Sequence, residues 1–226
     1  MAISAVTFDV GGTLIEPWPS VGHVYAEVAA RHGARNLPAE LLNERFKTAW
    51  RAQKDFAYTR DAWAKLVDQT FRGLCARPPS ETFFGELYDH FAQPAAWRVF
   101  EDVLPTLDRL ATQGVQLGII SNWDERLRLL LRRLRLENYF EAIVISCEVG
   151  FSKPSPVIFG HAAEKLGLPP AAILHVGDSF ALDVNGASLA GFGARRIRRG
   201  AKPGTGEEIP SLAVLPATIA GRKGGE

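Results

Sequence analysis

At 226 residues, with 46% hydrophobic and 23% charged residues, the chain has the usage of an ordinary folded protein with a substantial core, which excludes a mainly disordered or low-complexity polypeptide. Lys plus Arg number 26 against 25 Asp plus Glu, so a net charge of +1 gives no basis for a nucleic-acid or membrane surface. Cys75 and Cys147 match no metal spacing, and no apolar run reaches signal or membrane-span length, so reduced thiols in a cytoplasmic protein are expected.

Ile3, Ala5, Val6 and Phe8 read as a buried strand of a parallel sheet, ended by Gly11-Gly12. Asp9 is thereby delivered to the carboxyl end of a strand, where open α/β sheets bind ligands and a carboxylate can act as nucleophile or metal ligand. Taken alone, an Asp followed by two glycines also describes an ordinary exit from a strand into a turn.

From Pro17 to about Arg98 the periodicity turns helical, with no convincing strand. Ser20 reads as the N-cap of a helix with Val21, Val24, Tyr25, Val28 and Ala29 on one face and Gly33 as its stop. A second helix lines up Leu41, Leu42, Phe46, Ala49 and Trp50, and two more fit Asp61 to Ala76 and Glu81 to Phe91. Trp18, Trp50, Trp63 and Trp97 suggest a small core of its own, hence a helical subdomain inserted into a sheet domain. Arg45 falls inside the apolar stripe of the second helix. It either points at a ligand or packs its stem and sends its head to water, the commoner arrangement. His23 and His32 read as surface helix residues.

Beyond Arg98 helix and strand alternate. A helix with Val103, Leu104, Leu107, Leu110 and Ala111 ends at Gly114, and a strand from Val115 to Ile120 stops at Ser121-Asn122. The next helix turns Leu127, Leu130, Leu131 and Leu134 inward, while Arg126, Arg128, Arg132, Arg133 and Arg135 read as a solvated face. Ala142 to Ile145 form a strand, Ser155-Pro156 open a helix that Gly167 closes, and Ile173 to Val176 lead into Gly177-Asp178-Ser179. A last strand lies near Ala194 to Ile197, with Arg195, Arg196, Arg198 and Arg199 as a solvated rim. Residues 221–226 are expected to be disordered. The alternation indicates an α/β doubly wound parallel sheet, in which the carboxyl ends of all strands share one edge. Asp9, Ser121, Asn122, Lys153 and Asp178 can therefore converge.

In order and spacing, Asp9-Val10-Gly11-Gly12-Thr13, Ser121-Asn122, Lys153-Pro154, and Gly177-Asp178-Ser179 with Asp183 resemble the four motifs of the haloacid dehalogenase superfamily. They resemble the branch whose helical cap follows the first motif, and the resemblance runs from Ala5 to about Ile197. It implies a Rossmann-like core over 1–16 and 99–215, an all-helical cap over 17–98 and a tail over 216–226.

The activity the resemblance implies is a magnesium-dependent phosphomonoester hydrolase acting on a small phosphorylated metabolite. Asp9 would attack phosphorus and form an aspartyl-phosphate that water hydrolyses. Ser121 and Lys153 would hold the phosphoryl oxygens. Mg2+ would be bound by Asp9, the Gly11 carbonyl and Asp178. Asp183 would orient a metal-bound water or Lys153, although an acid at a helix start is also favourable through the dipole alone. Thr13 and Asn122 would support Asp9 and the substrate, and Trp18, Arg45 and Tyr58 are candidates to line the substrate site. No nucleic-acid or membrane partner is expected, and the chain is taken as a monomer or homodimer.

Gly11 departs from the pattern, because phosphatases that the chain resembles usually carry there the aspartate that serves as general acid and base. Glu16 is a candidate substitute, or else a solvent-facing turn residue. A 2-haloacid dehalogenase using Asp9 is the alternative. That branch usually has a tyrosine at the Gly11 position and a serine at that of Asp178. A catalytically weak binding protein is a further alternative, suggested by Gly11 and the arginines from Arg126 to Arg135.

Overall fold

Ala-Val-Thr-Phe forms the first strand, β1 (Ala5–Phe8), and all of its residues are buried, as a strand covered on both faces requires. In the computed structural model, which describes residues 2–201 and 207–223, the further strands are β2 (Ile15–Pro17), β3 (Trp97–Val99), β4 (Gln116–Ser121), β5 (Ala142–Ile145), β6 (Ile173–Gly177), β7 (Gly193–Ile197) and β8 (Glu208–Ile209). Six of them make one parallel sheet in the order β5-β4-β1-β6-β7-β8. The chain runs from β1 to β4 and β5 on one side, then to β6, β7 and β8 on the other. Strand order thus reverses beside β1, and the crevice at its carboxyl end is where such sheets take ligands. Register places Phe8 opposite Ile119 and Val176, and Thr7 opposite Gly118 and His175.

The chain divides into two units, Met1–Ile15 with Val99–Glu226, and Glu16–Arg98. The second holds α1 (Val21–Arg31), α2 (Ala39–Arg51), α3 (Arg60–Thr70) and α4 (Phe84–His90). Ser20 caps α1 by accepting from His23 N, and Thr59 caps α3 through Ala62 N. Gly22 lets α1 and α2 touch, for a Cβ there would lie 2.0 Å from the Ala39 carbonyl. The core is Val24, Tyr25, Val28, Leu42, Val67, Phe71, Phe83 and Leu87.

Several expectations are corrected here. The tryptophans do not supply that core: Trp50 stacks on Trp63 in a half-buried cluster with Phe56 and Tyr58, and Trp18 is exposed. Large rings with a polar N–H settle at the edge, while the compact rings fill the centre. Leu41 also faces solvent. The third helix stops at Thr70, because Gly73 takes a positive φ of 75°, and the fourth begins only after a turn at Pro79–Glu81. Short strands β2 and β3 pair at the two ends of the segment expected to be wholly helical. Three residues each are too few to show a period of two.

In the sheet unit, α5 (Val103–Thr112), α6 (Arg126–Arg133), α7 (Ser146–Val149), α8 (Pro156–Leu166), α9 (Asn185–Leu189) and α10 (Leu215–Lys223) accompany the strands. Ser155 caps α8 and Gly167, at φ 64°, closes it. Ile158 and Phe159 of α8 pack with Ile120, Val144 and Phe192 in the main core. The tail from residue 216 is helical through Lys223, because Leu215 and Ile219 bury themselves. Residues 224–226, the rest of the segment expected to be disordered, lie outside the described residues. No helix among the described residues is long and apolar enough to cross a membrane.

The arginines are reassigned in part. Arg132, Arg133 and Arg135 are exposed, as expected of a solvated face, with Arg132 beside Glu137, whereas half-buried Arg126 pairs with fully buried Asp124 and Arg128 with Glu148. In the supposed rim, Arg196 and Arg198 pair with Glu208, Arg196 also donates to the Asp178 carbonyl, and Arg199 is bound to Asp102. Asp102 is remote in sequence, and Glu137, Glu148 and Glu208 lie on elements too short to read, while Asp124 stands two residues before Arg126 in a loop.

Candidate active site

Beyond Phe8 the backbone keeps its ladder for one more residue, with Asp9 N donating to the Val176 carbonyl at 2.9 Å, and then turns. The Val10 carbonyl collects the N–H groups of Thr13, Leu14 and Ile15, while Gly12 N donates to Ile15. Gly12 is required twice over. Its φ is 75°, and a Cβ would lie 2.6 Å from Asp178 Oδ2. The turn therefore lies against the strand end that carries Asp178.

Ser121, the last residue of β4, donates from Oγ to Asp9 Oδ1 at 3.0 Å. Lys153 Nζ donates to the same oxygen at 2.7 Å and to Asp183 Oδ1 at 2.6 Å, with its side chain almost wholly buried. Asn122 sets that lysine: its Nδ2 donates to the Lys153 carbonyl and its Oδ1 accepts from Lys153 N. Its amide is thus engaged with the Lys153 backbone, in a positioning place.

Asp183 sits on a π-turn, Phe180–Val184, and accepts from Ser179 N through Oδ2. Gly177 makes room for it, since a Cβ there would meet Asp183 Cγ at 2.2 Å. Behind it, His175 Nε2 lies 3.2 Å from Asp183 Oδ1, and His175 Nδ1 lies 2.9 Å from Thr7 Oγ1. Sequence reasoning missed His175. Its one signal is an imidazole in an otherwise apolar strand.

The Thr13 side chain is fully buried and its hydroxyl finds no hydrogen-bond partner among the described residues. Arg45, on α2, donates to the Arg72 carbonyl. Tyr58 is buried in the aromatic cluster of its own unit. Glu16 is held by Arg98, which itself lies over the Trp18 ring, so it belongs to an ion pair rather than to a free turn. At Gly11 a Cβ would be 3.3 Å from Trp123 Cζ3, so the space beside this position is taken by an indole.

The electrostatics follow from burial. Burial would lower the Lys153 ammonium, but Asp183 and Asp9 hold it above an ordinary lysine. Burial also opposes ionisation of Asp183, yet the Lys153 charge and its bonds keep it below the usual carboxylate range. Burial pushes Asp9 up, with Lys153 opposing, and leaves His175 lowered and neutral. Asp178 is exposed as a residue, but its carboxyl loses hydration where it faces the cluster. That loss, followed by the charges of Asp9 and Asp183, pushes it up to about 7.

Carboxylate oxygens of Asp9, Asp178 and Asp183 lie within 4.8 Å of one another, against the single ammonium of Lys153. Asp178 has no ion-pair partner among the described residues. A cluster of hard oxygen donors with excess negative charge fits a divalent cation such as Mg2+. Since both oxygens of Asp183 accept from protein donors, Asp9 and Asp178 are the side chains left to hold it.

A family model described as haloacid dehalogenase-like hydrolase matches residues 3–191. Haloacid dehalogenase-like hydrolase domain-containing protein 3 of Mus musculus is 31% identical over 94% of this chain and 89% of its own. A glyceraldehyde 3-phosphate phosphatase of Methanopyrus kandleri is also 31% identical, over 94% of this chain and 93% of its own. Among solved structures, a HAD phosphatase from Thermococcus onnurineus superposes with a TM-score of 0.70 at 28% identity, covering 97% of this chain and 99% of that one. A 2-haloacid dehalogenase from Pseudomonas syringae reaches 0.67 at 25% identity, covering 96% and 98%.

Proposed function

The chain belongs to the haloacid dehalogenase-like hydrolase family, and from there we propose that it is a magnesium-dependent phosphomonoester hydrolase acting on a small phosphorylated metabolite. The observation that carries this is Asp178. It adds a carboxylate to a site where one lysine already faces Asp9 and Asp183, which suits a cation-dependent reaction on an anion. A metal-free dehalogenation would leave that charge to repel a haloacid carboxylate. Phosphatase-named relatives lend support.

Bound between Asp9, Asp178 and the Gly11 carbonyl, Mg2+ would supply positive charge to the phosphoryl oxygens. Asp9 attacks phosphorus through Oδ2, the oxygen that neither Ser121 nor Lys153 engages. The P–O bond to the leaving group breaks, and the phosphoryl group rests on Asp9 until water takes it. Lys153 offsets the charge of anion meeting anion, and Ser121 can turn its hydroxyl to a phosphoryl oxygen. Asp183, held by His175 and Ser179 N, fixes Lys153 in place. The helical unit over 16–98 serves as a cap that excludes water, with Trp18 and Arg45 at the substrate. The site of action is the cytoplasm, consistent with free Cys75 and Cys147, and the protein works as a monomer or homodimer without nucleic-acid or membrane partners.

The test is hydrolysis of an activated aryl phosphate with Mg2+ or chelator, beside Asp9→Asn. Turnover requiring both Mg2+ and Asp9 is expected. Halide release from a 2-haloacid without metal would instead establish the dehalogenase.

A further inference from the structure

Arg199 follows β7, and its guanidinium is engaged by three groups. Nη1 donates to Asp102 Oδ1 and Oδ2 at 2.9 and 3.1 Å, Nη2 donates to the Thr13 carbonyl at 2.5 Å, and the guanidinium carbon lies 3.6 Å from the centre of the Phe100 ring. Asp102 is itself fixed, accepting from Ser211 Oγ at 2.6 Å and Leu212 N at 2.8 Å. Thr13 belongs to the turn that presents Asp9 and Gly11. Inside that turn the N–H groups of Thr13, Leu14 and Ile15 converge on the Val10 carbonyl. The Thr13 carbonyl is instead taken up by Arg199, although the two residues are far apart in sequence.

A salt bridge kept only for stability would need Asp102 and no more. The second arm of the guanidinium reaches a backbone carbonyl within a few residues of the nucleophile, and the planar fork lets one side chain meet both acceptors at once. Loss of that hold frees the turn, and small displacements of a nucleophile carry large rate penalties.

We infer that Arg199 is a positioning residue for the hydrolysis: anchored by Asp102 and Phe100, it holds the Thr13 carbonyl and so the turn that presents Asp9 and Gly11. Its kinetic consequence rests on the phosphatase reading, but the hold on the turn does not.

The experiment compares wild type, Arg199→Met, Arg199→Lys and Ser211→Ala in aryl phosphate kinetics, thermal melting and amide hydrogen exchange of the peptide covering residues 9–15. Arg199→Met should lower kcat at least about tenfold with KM within about twofold, and exchange in that peptide should quicken. Arg199→Lys should recover part of kcat, because one ammonium can reach Asp102 or Thr13 but not both. Ser211→Ala removes one of the two groups that fix Asp102 and leaves the Leu212 N–H, so it should lower the melting temperature and shift kcat and exchange in the same direction as Arg199→Met but by less. Wild-type kcat and exchange in Arg199→Met, or a larger loss in Ser211→Ala than in Arg199→Met, would overturn the inference. If Arg199→Met does not fold, Arg199→Lys decides by the same two readouts. A wild type without turnover refutes the phosphatase reading alone, and the exchange result then decides the role of Arg199.

Discussion

Asp178 and Asp183 stand near each other in chain and in space, yet their protons are held in opposite senses. Asp183 has Lys153 and His175 beside it, so its stabilising contribution is present above its ordinary 3.8 and is lost as the pH falls below that value. Asp178 moves from 3.8 up to about 7, so the folded protein binds the extra proton and this group lowers stability as the pH rises between those values. Chelator-treated Asp178→Asn should therefore melt above wild type at pH 8 and level with it near pH 3, as calorimetry can check. Gly11 makes a second prediction at this scale. Without an acid there, and with the Trp123 ring beside it, no residue at this position protonates the leaving group. Alkyl phosphates should trail aryl phosphates in kcat/KM by about a hundred- to ten-thousandfold beyond their intrinsic difference in reactivity, a gap that a leaving-group series would measure.

The elements carry the site because their ends are specified by local chemistry. Ser155, Pro156 and Gly167 bound α8 as cap, first residue and stop, and Lys153 stands just before that start. Ser155→Ala should cost about 1 kcal/mol in denaturant unfolding and leave kcat unchanged. The helical unit depends more on one contact than on caps. A methyl at Gly22 would collide with the Ala39 carbonyl and press on Asn43, which accepts from Gly22 N at 2.7 Å. Neither helix can retreat without opening the core behind Val24 and Leu42, so Gly22→Ala should cost about 3 kcal/mol, measured by urea denaturation.

On the scale of the molecule, each unit has its own core, one built on Phe159 and the other on Phe71 and Phe83. Phe71→Ala should remove about 3–5 kcal/mol from the helical unit. Hydrogen exchange should then quicken in peptides from 16–98 and stay unchanged in those from β1, β4 and β6. Uniform quickening would show that the two units unfold as one.

Much of the design is local and so is readable along the chain. Apolar runs mark β1, β4, β5 and β6, and a serine or glycine at the right offset marks where α1 and α8 begin or end, because period and capping act within one turn. The motif order also brings together Asp9, Lys153, Asp178 and Asp183, since a parallel sheet brings its strand ends to one edge whatever the loops do. What the tertiary structure alone decides is which charge meets which. His175 meets Asp183 across the turn that follows its strand, and Asn122 on the Lys153 backbone, Trp123 beside Gly11 and Arg199 on Thr13 all join residues distant in sequence. So does the burial of Leu215 and Ile219, which makes a helix of the supposed tail. An arginine in a solvated rim and an arginine clamped to the turn after Asp9 look alike in one dimension. The partner is chosen by the fold, because burial and the cost of an unpaired charge are properties of the packed chain.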